Sequence, residues 1–447
     1  MINWHAVRGE VTQYLQELIR LDTTNPPGNE TLAARYIENV LKTEGFDPVL
    51  VESEPGRGNV FATLKGGSEE PLMLLGHTDV VAVEPEHWTH PPFSGALVDG
   101  YVWGRGALDM KNMVAAELMV FLLLKREGVK LNRDIVFAAT ADEEAGKGNH
   151  GPGWILDNRP ELLTAPYIIT EGGGHDLEVA GQHFYTCQTG QKGLCRLRLI
   201  ARGAPGHGSM PHGDSAIIKL SQALVGLEGA QLPVHVSESV HHFVEGIAER
   251  LPADEVGAWR ALLDEEQSAE ALAALDVDDE FRRELGAMLR NTASLTMLQA
   301  GSKINVIPGE AVAWVDGRLA PGQSQESFVE ELRVFIGDEV EVVIDQYTPP
   351  LEAGTDSPLY AAIEATMQAR DPELSLLPYL LPAGTDAKHI VPRRPQTQIY
   401  GFMPYRQKPG EEEMKLIHGH DERTSVEELL YATEVLYEIV CRFGSAQ

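Results

Sequence analysis

Three short, mainly apolar segments constrain this chain most: 72–75 (Leu-Met-Leu-Leu), 134–140 and 167–170. Brief apolar runs bounded by turn residues suit strands buried on both faces, and parallel strands so placed need helices to cover them. Helical periodicity separates the three. Val7, Val11, Tyr14, Leu15, Leu18 and Ile19 recur at helical spacing near the start. Asn25-Pro26-Pro27-Gly28-Asn29 breaks that helix, and an amphipathic helix follows over 30–44. Further strands are expected at 48–52 and 59–64, and a helix over 110–126. Strands alternating with helices predict an α/β sheet with helices on both faces. Charged and His side chains collect just past the apolar runs: His77 after the first, Glu143 and Glu144 after the second, Glu171 after the third. Open α/β sheets bind ligands at the carboxyl ends of their strands, so these positions mark a candidate site.

After about residue 188 the pattern changes. Strands at 194–201, 294–300, 311–319 and 340–346 and helices at 215–227 and 324–336 come in β-α-β-β-α-β order, the signature of a ferredoxin-like sandwich. The expectation is a discontinuous α/β domain over 1–188 and 349–447, interrupted by an inserted α+β domain over 189–348. A chain of 447 residues exceeds what one core usually serves. Within the insert, 237–291 is acidic and helical, with Asp254-Glu255, Asp264-Glu265-Glu266 and 276–280, and is read as extra helices. A helix over 358–370, then further strands and loops, would rejoin the first domain.

With 67 acidic against 36 basic residues the formal net charge is −31, which argues against nucleic acid or an anionic membrane as partner. The longest apolar run, 118–124, is too short to span a bilayer. The first residues lack the basic-then-apolar pattern of a signal peptide. Cys187, Cys195 and Cys441 are an odd, sparse set without metal-binding spacing; they are expected as core residues or idle thiols in a reducing, cytoplasmic setting.

Leu75-Gly76-His77-Thr78-Asp79 offers an imidazole with an acid two residues on, close enough to orient its second ring nitrogen. Alone it reads equally as a capping or core His. In Trp103-Gly104-Arg105-Gly106-Ala107-Leu108-Asp109-Met110-Lys111, glycines surround one carboxylate just before a helix. The plain alternative is an N-cap; the functional one is a carboxylate bridging two cations. Asp142-Glu143-Glu144 is more informative, because consecutive acids at the end of a buried strand repel one another unless cations lie close by. One can then hold metal while its neighbour handles a proton. Glu171-Gly172-Gly173-Gly174 repeats the theme. Ile417-His418-Gly419-His420-Asp421-Glu422 places two imidazoles in a polar turn before a helix, and spacing does not choose between them. An N/O donor set without thiolate suits zinc, cobalt or manganese. Two such ions sharing a carboxylate lower the pKa of a shared water.

In these blocks the sequence resembles the co-catalytic zinc aminoacylases, acetylornithine deacetylases, succinyl-diaminopimelate desuccinylases and glutamate carboxypeptidases. The resemblance covers nearly the whole chain. It extends to Thr24-Asn25-Pro26-Pro27-Gly28-Asn29-Glu30, Gly203-Ala204-Pro205-Gly206-His207-Gly208-Ser209, Asn305-Val306-Ile307-Pro308 and Gly384-Thr385-Asp386-Ala387. It implies a zinc-peptidase-like α/β catalytic domain whose ferredoxin-like insert is a lid that forms a homodimer. It implies that His77, Asp109 and Glu171 hold one metal, that Asp109, Glu144 and His418 hold the other, and that His418 rather than His420 is the ligand. By the same resemblance Glu143 is the general base, Asp79 supports His77, and His207 is lent to the partner subunit's site as an oxyanion donor. Asn305, Arg318 and Gly384 match positions that touch a small acyl-amino-acid or peptide substrate. An ion pair along a strand is the plain alternative for Arg318. The helical stretch 237–291 exceeds the compact members of the family. An aminopeptidase with a similar dinuclear site is the rival enzyme. A silent binding relative would have lost a ligand or the base, whereas all six positions here are filled.

Overall fold

The computed structural model describes residues 2–145, 150–406 and 413–445. The chain clusters into two compact units: Met1–Thr189, Ala353–Leu377 and Thr385–Gln447 form the first, Gly190–Glu352 with Pro378–Gly384 the second.

In the first unit the strands lie in the order Val49–Glu52, Gly58–Leu64, Arg133–Thr140, Glu69–His77, Tyr167–Thr170, Gln398–Gly401, Gln182–Gln191. The middle strands, from Arg133–Thr140 to Gln398–Gly401, pair in parallel, and the flanking pairs are antiparallel. The run 72–77 is buried throughout, as a strand covered on both faces should be. Parallel pairing brings His77, Thr140, Thr170 and Gly401 to one edge of the sheet as the last residues of their strands. That edge carries the site.

The helix Lys111–Arg126 lies against Glu69–His77, and packs with Trp4–Arg20 and Val426–Gly444. Its residues 111–124 are buried on every face, which suits a helix sandwiched in a core rather than lying on a surface. Helix and strand meet at Gly76, where a Cβ would come within 2.7 Å of Val114 Cγ2; only glycine fits that approach. Thr31–Thr43 covers the antiparallel strand Gly58–Leu64.

Elements expected from periodicity are present with longer strands: 72–75 becomes Glu69–His77. Several elements were not anticipated. They include the hairpin Asp176–Val179 with Gln182–Gln191 and a small sheet of Ala96–Val98, Tyr101–Trp103 and Arg423–Ser425, whereas the helix expected after the His418 turn is present as Val426–Gly444.

The second unit has one antiparallel sheet in the order Thr292–Ala300, Glu310–Leu319, Gly193–Arg202, Val340–Thr348. In chain order this is second, third, first, fourth, the arrangement of a ferredoxin-like sandwich. Helices Ala216–Glu228 and Gln325–Ile336 pack on it through Leu220, Ala223, Phe328, Leu332 and Ile336 against Leu197, Leu199 and Val315. The stretch 237–291 folds as the helices Glu238–Ala248, Val256–Ala261, Ser268–Ala274 and Asp279–Leu289. Cys187 and Cys195 are buried, Cys441 is partly so, and all three are unbridged. Among the described residues no helix is long and apolar enough to cross a membrane.

Candidate metal centre

His77 ends its strand fully buried, with its two ring nitrogens facing different partners. Nδ1 lies 3.1 Å from the Asp79 carbonyl oxygen and 3.5 Å from Asp79 Oδ1. Nε2 lies 3.1 Å from Asp109 Oδ1 and 3.5 Å from Glu171 Oε2. Asp79 thus holds the ring by one nitrogen and leaves the other aimed at two carboxylates, the arrangement a metal-ligating His needs.

Asp109 stands at the entrance to the helix Lys111–Arg126. It presents Oδ1 to His77 and Oδ2 to His418 Nε2, 3.1 Å each. His418 Nε2 also lies 3.1 Å from Glu144 Oε2. His420, by contrast, pairs with Glu84 at 3.0 Å. Among the described residues, two triads have all their ligand atoms within 4.8 Å of one another: His77, Asp109 and Glu144, and His77, Glu143 and Glu171.

The electrostatics fit cations. Burial pushes the Glu171 carboxyl up to about 8 and Glu144 up to about 7, with Asp109 and Glu143 adding to the rise. Burial also opposes charge on His77, but Glu171, Asp109 and Asp79 outweigh it and hold the imidazole well above its ordinary value. Hydrogen bonds to Asp109 and Glu144 lift His418 to about 10. A buried cluster of acids that must borrow protons is one that divalent ions satisfy directly. The donors are imidazole nitrogens and carboxylate oxygens alone, a set for zinc, cobalt or manganese.

The ligand loops are tied from behind. Asp79 Oδ1 accepts the Glu143 N–H at 3.1 Å and Oδ2 the Glu144 N–H at 3.0 Å. Glu422, fully buried, accepts Leu108 N–H at 2.7 Å and Asp109 N–H at 3.2 Å through Oε1, and Arg105 Nη1 at 2.5 Å through Oε2. Arg105 Nη2 reaches the Gly419 carbonyl at 2.9 Å. One buried ion pair therefore joins the Asp109 loop to the His418 loop. His418 itself sits in left-handed backbone (φ 60°), uncommon for a residue with a Cβ. At Gly401 a Cβ would fall 2.0 Å from the Glu171 carbonyl, so the strand beside Glu171 needs glycine.

Sequence reasoning did not single out Lys388. Its Nζ donates to Glu143 Oε1 at 2.5 Å and to the Glu143 carbonyl at 3.2 Å. Asp386, two residues earlier, accepts from Thr140 Oγ1 at 3.0 Å and is raised to about 7, first by burial and then by Glu143. The only sequence signal was proximity to Gly384-Thr385-Asp386-Ala387.

His207, Asn305, Arg318 and Gly384 belong to the second unit. His207 and Asn305 are neighbours there: the short strand Gly206–His207 pairs with Val306–Ile307, and Gly208 N–H donates to the Asn305 carbonyl at 2.9 Å. His207 is exposed, with Nδ1 2.8 Å from Ser209 Oγ. Arg318 Nε donates to Asp316 Oδ1 at 2.7 Å along its own strand. Gly384 ends the segment Pro378–Gly384, where the chain passes back to the first unit.

Comparison with known proteins gives the chain a family. The family model for Peptidase family M20/M25/M40 matches residues 73–442. The chain is 29% identical over 452 residues to the N-fatty-acyl-amino acid synthase/hydrolase PM20D1 of Xenopus tropicalis, covering 97% of this chain and 86% of that protein. It is 27% identical over 441 residues to aminoacylase-1 of Sus scrofa, covering 96% and 94%. Among solved structures, the M20 family metallo-carboxypeptidase Sso-CP2 from Sulfolobus solfataricus superimposes with a TM-score of 0.70 at 20% identity, covering 97% of this chain and 99% of that one. A match over residues 73–442, around a cluster of His and carboxylate donors at one sheet edge, makes the chain a metal-dependent hydrolase belonging to Peptidase family M20/M25/M40.

Proposed function

We propose that His77, Asp109, Glu144, Glu171 and His418 form a dinuclear centre that hydrolyses the amide bond of an N-acyl amino acid or peptide bearing a free carboxylate. The observation that carries this reading is Asp109, which offers one oxygen to each of two imidazoles and so suits a carboxylate shared by two ions. His77 and Glu171 complete one ligand set, Glu144 and His418 the other. Zinc is the metal we propose; cobalt and manganese suit the same donors. When bound, two such ions polarise a carbonyl and acidify water between them.

Glu143 is the base in this reading. It stands within ligand distance of His77 and Glu171, yet its carboxylate is engaged by Lys388. Lys388 holds one oxygen of Glu143 and leaves the other to take a proton from the attacking water. Glu143 then delivers that proton to the leaving nitrogen. Asp79 keeps His77 oriented and holds the backbone of Glu143 and Glu144 in register. Oxyanion stabilisation falls to His207, supplied to the partner subunit of a homodimer formed by the second unit. The apolar exposure of Leu295, Met297 and Leu298 on the edge strand Thr292–Ala300 supports such an association. Arg318 would exchange Asp316 for the substrate carboxylate, with Asn305 and Gly384 lining the same substrate. Three unbridged cysteines are consistent with a reducing, cytoplasmic setting.

The test is a hydrolysis screen of N-acetyl amino acids, N-succinyl-diaminopimelate and dipeptides, each also as its C-terminal amide, with zinc, cobalt or manganese added. Cleavage of free acids but not amides is expected. Cleavage confined to peptides with a free amino terminus would favour an aminopeptidase instead.

A further inference from the structure

The motif Thr24-Asn25-Pro26-Pro27-Gly28-Asn29-Glu30 supplies no candidate ligand, yet Asn25 is only 6% exposed and Glu30 is fully buried. Asn25 Nδ2 spends both its protons on buried carboxylates: Asp79 Oδ2 and Asp142 Oδ1, each at 2.9 Å. Arg57, 6% exposed, forks onto Glu30, with Nε to Oε2 at 2.8 Å and Nη2 to Oε1 at 2.7 Å. The same Nη2 reaches Asp142 Oδ1 at 2.9 Å. Asp142 Oδ2 accepts the His150 N–H at 3.0 Å. Three buried carboxylates, Glu30, Asp79 and Asp142, are thus cross-linked by one amide and one guanidinium. Stripped of those donors they would repel one another in a low-dielectric interior.

The cross-link matters because of what hangs from it. Asp79 carries the Glu143 and Glu144 amides, and Asp142 is the residue before them, in left-handed backbone at φ 71°. Among the described residues Asn25 and Arg57 hold Asp79, Asp142 and Glu30, so whatever they do for the centre passes through Asp79 and Asp142.

We propose that Asn25 and Arg57 are positioning residues for the hydrolytic reaction, fixing through Asp142 and Asp79 the backbone from which Glu143 and Glu144 project. The inference rests on the reading above for what is being positioned, but not for the network itself. A shift of roughly 1 Å in a reacting group costs about 10²-fold in rate, and loss of a partner behind a metal ligand costs about 10–100-fold in metal affinity or activity.

The experiment compares Asn25→Ala, Arg57→Ala and Arg57→Lys with the natural protein. Amide hydrogen exchange of the peptide 140–145 is measured without metal or substrate. Zinc affinity is measured by competition with a chelating indicator, and kcat and KM on the best substrate of the screen. Faster exchange at Glu143 and Glu144 is expected in both alanine variants, with zinc bound about 10–100-fold more weakly. kcat should fall about 10²-fold while KM moves less than about threefold. Arg57→Lys keeps the charge but loses the fork, so it should fold and lie between. It decides the matter if Arg57→Ala does not fold. Variants that stay folded with unchanged exchange, zinc affinity and kcat overturn the inference. A natural protein that takes up no zinc and cleaves nothing in the screen overturns the metal-site reading instead, and the exchange measurement still decides the positioning role.

Discussion

At the residue scale the centre separates charge from chemistry. Glu143→Gln keeps the shape of the base and removes its proton-accepting oxygen; turnover should drop about 10²–10⁴-fold while metal content by elemental analysis stays at the natural level. Retained turnover would reassign the base. His207→Ala should lower kcat without changing metal content, and an unaltered kcat would end its role at the oxyanion. Glu117 makes a different point. It lies fully buried in the helix Lys111–Arg126, among the described residues neither carboxylate oxygen has a hydrogen-bond partner, and burial raises its pKa well above the ordinary value, with Glu171 adding to the rise. The folded chain therefore keeps a proton that the unfolded chain loses above about pH 4.3. Stability is fully present below that pH and drains away as pH rises towards the folded value. Glu117→Met should stabilise the protein by about 1–3 kcal/mol at pH 7–8. The gain should shrink towards pH 4 in melting curves run across pH; a gain independent of pH would contradict the buried-acid account. His77, Glu143, Glu144 and Glu171 were legible in the sequence because each follows an apolar run. Lys388 and Arg57 were not, since their partners Glu143 and Asp142 stand 245 and 85 positions away.

At the element scale, what periodicity could read and what it could not divide cleanly. Apolar patterning marks the strands 72–75 and 167–170 and the helix 358–370; the structure extends the first to Glu69–His77 and keeps the expected bounds of the other two. The strand Gln398–Gly401 has only Ile399 and Tyr400 as apolar residues, too weak a pattern to mark a strand, although it lies in the middle of the sheet. Pro378 lies within the strand Ser375–Leu381, and proline argues against a strand. The terminal helix Val426–Gly444, expected after the His418 turn, carries an apolar stripe (Val426, Leu429, Leu436, Val440, Phe443) that buries it in the core. Elements are also pinned by single side chains. Lys192 is buried at the turn into Gly193–Arg202, and its Nζ donates to the carbonyls of Ala287 at 2.9 Å and Arg290 at 2.7 Å, at the end of the helix Asp279–Leu289. Lys192→Met strands those carbonyls and should cost about 1–3 kcal/mol in denaturant melts. An unchanged midpoint would show that they find other donors.

For the whole molecule, the net charge of −31 and the acid cluster at the sheet edge make bound cations a stabilising term. Ions that bind only the folded chain should stabilise it by about 2.7 kcal/mol per site when free metal is 100-fold above Kd. Chelation should therefore lower Tm and zinc restore it, read by differential scanning calorimetry at fixed pH. A Tm indifferent to both would count against a resident metal. The topology has a consequence for biosynthesis. His77, Asp109, Glu144 and Glu171 leave the ribosome early, but the strand Gln398–Gly401, which lies in the sheet between Tyr167–Thr170 and Gln182–Gln191, emerges only after the whole of Gly190–Glu352. His418 and Glu422, which brace the Asp109 loop, come later still. In the proposed centre, a nascent chain thus carries an unfinished ligand set through most of its synthesis. If the proposed centre holds its ions, chain order makes metal loading one of the last events in the protein's maturation.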